Sequence, residues 1–232
     1  MKIKQLSQQQ ERDLLTMLSN RYSVDCSGAA RLVIKVETLD LLKVGIPVDP
    51  QLEYVVKVAI GMAGINQTAI ESGCYKSLGH NYPLAAIPFM GDYVEIMERV
   101  KVIDGPRQAW GQDSEDFICE MVNYYGAERD EAQKMYDVIC ALDELNGETS
   151  DNGQIGYTID GRIVAFDYGY DARDDGGLCS DLDETLDFYD EDILVAYLRA
   201  LKNLVGADIS EFEALETNIL NNGIEALGED LC

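Results

Sequence analysis

The sequence is short of positive charge, of histidine and of paired cysteines, and each shortage narrows what the chain does. Lysine and arginine number 18 against 43 aspartates and glutamates, a formal net charge of −25. A field of that sign repels a phosphate backbone, which argues against direct nucleic-acid binding. His80 is the single histidine, and Cys26, Cys74, Cys119, Cys140, Cys179 and Cys232 form no Cys-x-x-Cys pair. A zinc site needs soft ligands clustered at short spacing, and none occurs here. Cysteines scattered in this way suggest reduced thiols in a cytosol. No segment is long and apolar enough to cross a bilayer, and residues 1–8 lack the apolar core of a signal peptide. The expectation is a soluble, cytoplasmic protein with no membrane partner.

What is present is 232 residues, 47% hydrophobic and 26% charged. That suffices for one domain, or one domain of two lobes, with a sizeable core. The acidity suits a basic protein surface as partner, including one that normally holds DNA or RNA. Solubility alone is the simpler account of the same charge.

The strongest local signal is Ile155-Gly-Tyr-Thr-Ile-Asp-Gly-Arg-Ile-Val-Ala-Phe-Asp-Tyr-Gly-Tyr170. Runs rich in β-branched and aromatic residues at 155–159 and 163–166 flank Asp160-Gly161, which predicts a hairpin with a tight type I′ turn. The second strand leads directly into Asp167-Tyr168-Gly169. Upstream, Ser7 caps a predicted helix over 7–20 with Leu14, Leu15 and Leu18 on one face. Small residues at 27–30 precede an alternating strand to Glu37. Gly45, Pro47 and Pro50 predict a loop or hairpin connection over 39–50.

A strand over 54–60 follows, carrying Lys57 within an apolar run, where a lysine either snorkels to an edge or meets an acid. A helix over 66–78 places Glu71 beside Ile70 and Cys74. A second hairpin-like pair, 85–89 and 93–97, surrounds Gly91-Asp92 and ends in Glu95-Ile-Met-Glu98. Helices are predicted over 114–125 and 128–145, broken at Gly126. The second has Ala132, Met135, Ile139 and Leu142 at core spacing.

Lys57 on a strand, Glu71 on the next helix, a strand ending in Glu98 and a hairpin ending in Asp167-Tyr168-Gly169 follow in the order of a protein-kinase-like fold. The chain resembles that family over residues 25–170, and in particular the small divergent kinase-like proteins encoded by tailed bacteriophages. The resemblance implies an α+β, bilobal fold: a small antiparallel sheet lobe over 1–100 and a mostly helical lobe over 101–232. It also implies ATP and magnesium as cofactors. Lys57 would contact nucleotide phosphates, Glu71 would hold Lys57, and Asp167 would hold the metal, while the backbone of the strand ending in Glu98 would meet the adenine. For a viral protein the compartment would be the host cytoplasm.

The loop 146–155 departs from the kinase pattern. Counted back from Asp167, Gln154 takes the place of the metal-binding asparagine and Thr149 that of the aspartate base. Glutamine offers a metal an oxygen, but threonine is no carboxylate base. Glu148, Asp151 or Asn152 would substitute if the loop bends differently, with Asp151 as the catalytic candidate; equally, Asp151 and Asn152 would simply cap a turn. This departure favours a pseudokinase that acts by binding.

Beyond Gly169 the acids of 171–192 face only Arg173. An EF-hand beginning at Asp171 would need a glutamate where Leu182 stands, so calcium binding of that type is excluded. The run is either a solvated face or a docking surface for a basic partner, in effect an imitation of DNA. An amphipathic helix over 190–204, with Ile193, Leu194, Tyr197, Leu198 and Leu201 on one face, and another begun by Ser210 would finish the helical lobe.

Overall fold

The computed structural model describes residues 2–24, 26–27, 31–102, 114–146, 154–167 and 191–205. These form an α+β protein with six helices and two sheets. The chain divides into two compact units, each assembled from separated segments.

The sheet unit takes its described residues from Lys4–Asn66, Phe89–Ile96 and Asp174–Cys232. Its strands are β1 (Lys4–Gln5), β2 (Cys26–Ser27), β3 (Arg31–Val36), β4 (Tyr54–Ala59), β5 (Phe89–Met90) and β6 (Val94–Glu98), in the order β1-β5-β6-β4-β3-β2. The last two residues of β6 fall in the other unit. Strand β3 buries Leu32, Ile34 and Val36, the period-two pattern of a sheet surface, and pairs antiparallel with β4, Val33 opposite Lys57. The sheet is not wholly antiparallel as expected. Edge strand β1 runs parallel to β5, a pairing allowed because a long crossover, not a hairpin, separates them.

Helix α1 (Gln8–Arg21) begins at the Ser7 cap, where Ser7 Oγ accepts from the Gln10 N–H and the Gln10 side chain accepts from the Ser7 N–H. That reciprocal box satisfies two backbone donors. Leu14, Leu15 and Leu18 are fully buried. Within 39–50 the structure has a helix, α2 (Thr38–Lys43), where a loop was expected. Gly45, at φ +76°, ends it: the Ile46 N–H donates to the Leu41 carbonyl and the Gly45 N–H to the Leu42 carbonyl. This is a Schellman cap, closed by the buried side chains of Leu41 and Ile46. The glycine that reads as loop punctuation is therefore the stop of a short helix. Helix α6 (Glu191–Val205) packs on α1 and buries Ile193, Leu194, Tyr197, Leu198 and Leu201 in the same core cluster as Leu14, Leu15 and Leu18. The sequence assigns this helix to the lobe over 101–232. The apolar stripe is as expected, but it belongs with the sheet.

The other unit takes its described residues from Met1–Ile3, Gln67–Pro88 and Met97–Arg173. It includes α3 (Gly61–Leu78) from Gln67 onward, α4 (Ser114–Tyr125) and α5 (Arg129–Asn146), with Gly126 at φ +68° between the last two. Strands β7 (Lys101–Val102), β8 (Gln154–Tyr157) and β9 (Ile163–Phe166) form an antiparallel sheet, and α5 packs on β9. The core here is Phe117, Ile118 and Met121 of α4 with Ala132, Met135, Val138 and Ile139 of α5.

The β8–β9 turn differs from the expected type I′. Only Gly161 has positive φ, at +83°. The Gly161 N–H donates to the Thr158 carbonyl, and the Thr158 N–H donates to Arg162. A three-residue loop with one left-handed glycine is the other common hairpin solution, and it asks nothing unusual of Asp160.

Candidate functional site

Lys57 sits within β4, flanked by β3 and β6. It is 4% exposed, and its Nζ lies 3.8 Å from Oε1 of Glu95, which is fully buried on β6. At that separation the contact is an ion pair rather than a hydrogen bond. Two residues away the Ala59 N–H donates to the Tyr93 carbonyl at 2.9 Å, tying β4 to β6. A buried ion pair gains little over apolar replacements of the same volume, yet losing one partner is costly. The kinase resemblance implies Glu71 as the acid for Lys57; Glu95 on β6 is an acid it does not imply. Two opposite charges on strands otherwise as apolar as Tyr54-Val-Val-Lys57-Val-Ala and Tyr93-Val-Glu95-Ile-Met were the signal available.

Glu71 lies on α3 in the other unit and is fully buried. Asp167 follows β9 in that unit with φ at +54°, the left-handed region, which among the described residues it alone occupies without being glycine. Gln154 opens β8 and pairs with Phe166, so Gln154 and Asp167 stand at the same end of one hairpin. Asp151, with Glu148, Thr149 and Asn152, lies outside the described residues, as do the small residues 28–30, the acidic run to 190 and the helix expected from Ser210.

Three further carboxylates are buried, Glu11, Asp40 and Glu98. Glu11 of α1 is 1% exposed, and its oxygens accept the backbone N–H groups of Asp92 (2.8 Å) and Tyr93 (2.7 Å) in the β5–β6 turn. Burial raises its pKa from 4.5 to about 7, partly offset by those hydrogen bonds. A Cβ on Gly91 would fall 2.4 Å from the Glu11 carboxyl carbon, so a side chain there would push the carboxylate out of its present position. Glu98, at the end of β6, is 1% exposed and pairs with the Arg162 guanidinium at 2.5 Å, while its Oε2 accepts the Ala86 N–H. Burial raises its pKa and the Arg162 charge lowers it. Arg162 also binds Asp160 at 2.8 Å, so the β8–β9 turn is held by charge as well as by backbone. Sequence pattern had no means of finding Glu11: an acid in a first helical turn reads as complementing the helix dipole.

A cavity of about 280 Å³ lies between α5 and β9, lined by Pro83, Met135, Ile163 and Val164 with Glu131, Lys134 and Arg162. It contains none of the expected site residues. Among the described residues, no three His, Cys, Asp or Glu side chains gather as a metal site, and no helix is long and apolar enough to cross a membrane. Cys74 is buried and unbridged, and Cys119 and Cys140 are exposed and unbridged. No protein-family model, curated protein or solved structure matches the chain.

Proposed function

We propose that this chain is a divergent protein-kinase-like protein, a pseudokinase that binds a nucleotide and acts by engaging a basic surface on a host or viral protein. The observation that carries the reading is Lys57. A cation kept in the interior of a sheet at the cost of desolvation, beside a buried acid, marks a site whose charge has a use beyond stability. The chain order supports it: the Lys57 strand, the α3 helix with a buried Glu71, the β5–β6 hairpin, then the β8–β9 hairpin ending in Asp167. Asp167 supports it independently, since non-glycine residues held at positive φ gather at functional sites.

Magnesium takes oxygen ligands and keeps several waters, so one carboxylate together with nucleotide phosphates suffices. The Asp167 carboxylate fits that demand. The Gln154 amide oxygen, at the same end of the hairpin, is a neutral second donor. Bound magnesium would neutralise phosphate charge, and a strand lysine such as Lys57 is the residue type that adds positive charge to nucleotide phosphates. Threonine at 149 leaves phosphoryl transfer without an evident base, which favours binding over turnover.

Thermal unfolding in millimolar magnesium–ATP tests the reading. Ligand bound to the folded state alone raises the midpoint, and Lys57→Met should abolish the rise. No rise in the unmodified protein removes the nucleotide; an equal rise in both removes Lys57 from the site.

A second reading rests on the net charge of −25: an acidic interaction protein, or DNA mimic, that occupies a basic site on its partner. Salt-sensitive association that is indifferent to Lys57→Met, and lost when the acids of 171–192 are neutralised, would favour it.

A further inference from the structure

Glu11 lies outside every role described so far, yet it is the buried carboxylate with the most direct hold on the strand facing Lys57. Its two oxygens take the N–H groups of Asp92 and Tyr93 at the point where the turn enters β6. The Tyr93 carbonyl then accepts the Ala59 N–H of β4, and two residues further on Glu95 meets Lys57. One residue, Tyr93, thus links Glu11 to the register of β6 on β4, and that register places the Glu95 carboxylate beside the ammonium. The space is shaped for it, since Gly91 leaves no room for a side chain where the carboxylate lies.

We propose that Glu11 is a positioning residue for the Lys57–Glu95 pair, a latch between α1 and the β5–β6 turn whose hold changes with its own protonation. As a statement about nucleotide binding it rests on the reading of Lys57 given above. As a statement about the latch it does not.

The sign follows from burial. The closed latch carries a carboxyl with pKa about 7, against 4.5 when solvated, so closing takes up a proton. The latch is tightest in acid and loosens as pH rises from 4.5 towards 7, levelling above. The surrounding elements carry Asp13 and Arg21 on α1, Glu95 on β6, and Glu191 and Asp192 at the start of α6. Asp92 on the turn adds like charge. Lys4 of β1 lies over the Phe89 ring, Arg12 of α1 turns to Gln9, and α6 carries Arg199 and Lys202.

Hydrogen exchange on the nucleotide-free full chain reads the latch at the Asp92, Tyr93 and Ala59 amides. After correction for intrinsic exchange, the unmodified protein should show opening that rises with pH between 5 and 7, by at most about tenfold per unit. Glu11→Gln, which keeps the shape and cannot ionise, should show no such rise at these amides. Gly91→Ala should speed exchange at all three, and in a Glu11→Ala background it should add nothing, because the clash partner is gone. A pH-dependent rise that persists in Glu11→Gln, or a Gly91→Ala effect that survives Glu11→Ala, overturns the latch. Magnesium–ATP stabilisation is measured alongside. If it is absent while the exchange behaves as stated, the nucleotide reading fails and the latch stands. If it is present and unchanged in Glu11→Gln across the same pH range, Glu11 does not position the site.

Discussion

Lys57 and Glu95 meet from adjacent strands, with 3.8 Å between ammonium nitrogen and carboxylate oxygen, Glu95 fully buried and Lys57 nearly so. Removing one partner leaves the other's charge buried and short of its counter-charge. Lys57→Met or Glu95→Leu alone should lower unfolding free energy by about 3–5 kcal/mol, whereas the double replacement Lys57→Met/Glu95→Leu should cost far less or nothing. Urea denaturation of the four proteins of this cycle measures the coupling. Strict additivity would mean that the two charges do not interact.

Glu11 gives stability a slope with pH. A folded-state pKa raised from 4.5 to about 7 means that the folded protein binds the proton more tightly. Its contribution is full below pH 4.5 and is lost as pH rises through 7. The total is roughly 3 kcal/mol at 1.36 kcal/mol per pKa unit. The midpoint of unmodified protein relative to Glu11→Gln should therefore fall between pH 5 and 7.5. A flat difference would show that the carboxyl titrates normally.

Two glycines should fail for different reasons when changed to alanine. Gly45 has open space around its Cβ position but a φ of +76°, so the substitution should cost about 1 kcal/mol of backbone strain and weaken only the end of α2. A Cβ on Gly156 would lie 2.4 Å from both the Lys101 carbonyl oxygen and Val100 Cγ1. Backbone cannot yield as a side-chain tip can, so Gly156→Ala should disrupt the β7–β8 pairing. Chemical-shift mapping distinguishes a local change at 44–46 from one spread over 100–102 and 154–157.

Tyr197 of α6 stacks on Tyr93 with ring centroids 4.0 Å apart and 11° between planes, and its hydroxyl donates to the Ala59 carbonyl at 2.9 Å. Tyr197→Phe keeps the stack and loses one hydrogen bond, a cost of about 1 kcal/mol. Tyr197→Ala empties a fully buried site and should cost about 3–5 kcal/mol. Equal losses in the two variants, measured by urea unfolding, would place the whole effect in the hydroxyl.

Local signals in the sequence located most of the elements. The Ser7 cap marked the start of α1, Ser114 and Gly126 bracketed α4, and the stripe from Ile193 to Leu201 marked α6. What escaped was decided over distance. A six-residue helix around Leu41 lacks enough turns to show a period, and its glycine stop resembles a loop. The Asp160-Gly161 pair fits either hairpin geometry, and the choice went to the one with a single left-handed residue. For the candidate site, the apolar run around Lys57 left open whether it snorkels to an edge or meets an acid, and the structure buries it. Its neighbour Glu95 depends on which strands lie side by side, and Glu11 on a turn far along the chain; neither is encoded by spacing.

The core shared by α1, the sheet and α6 has a consequence for how the protein is made. Leu14, Leu15 and Leu18 leave the ribosome long before the helix that covers them, which ends at Val205. A ribosome adding about 5–20 residues per second needs roughly 10–40 s to travel between the two. For that interval the side of the core that α6 completes stays uncovered, an opportunity for chaperones and a hazard for crowded polysomes.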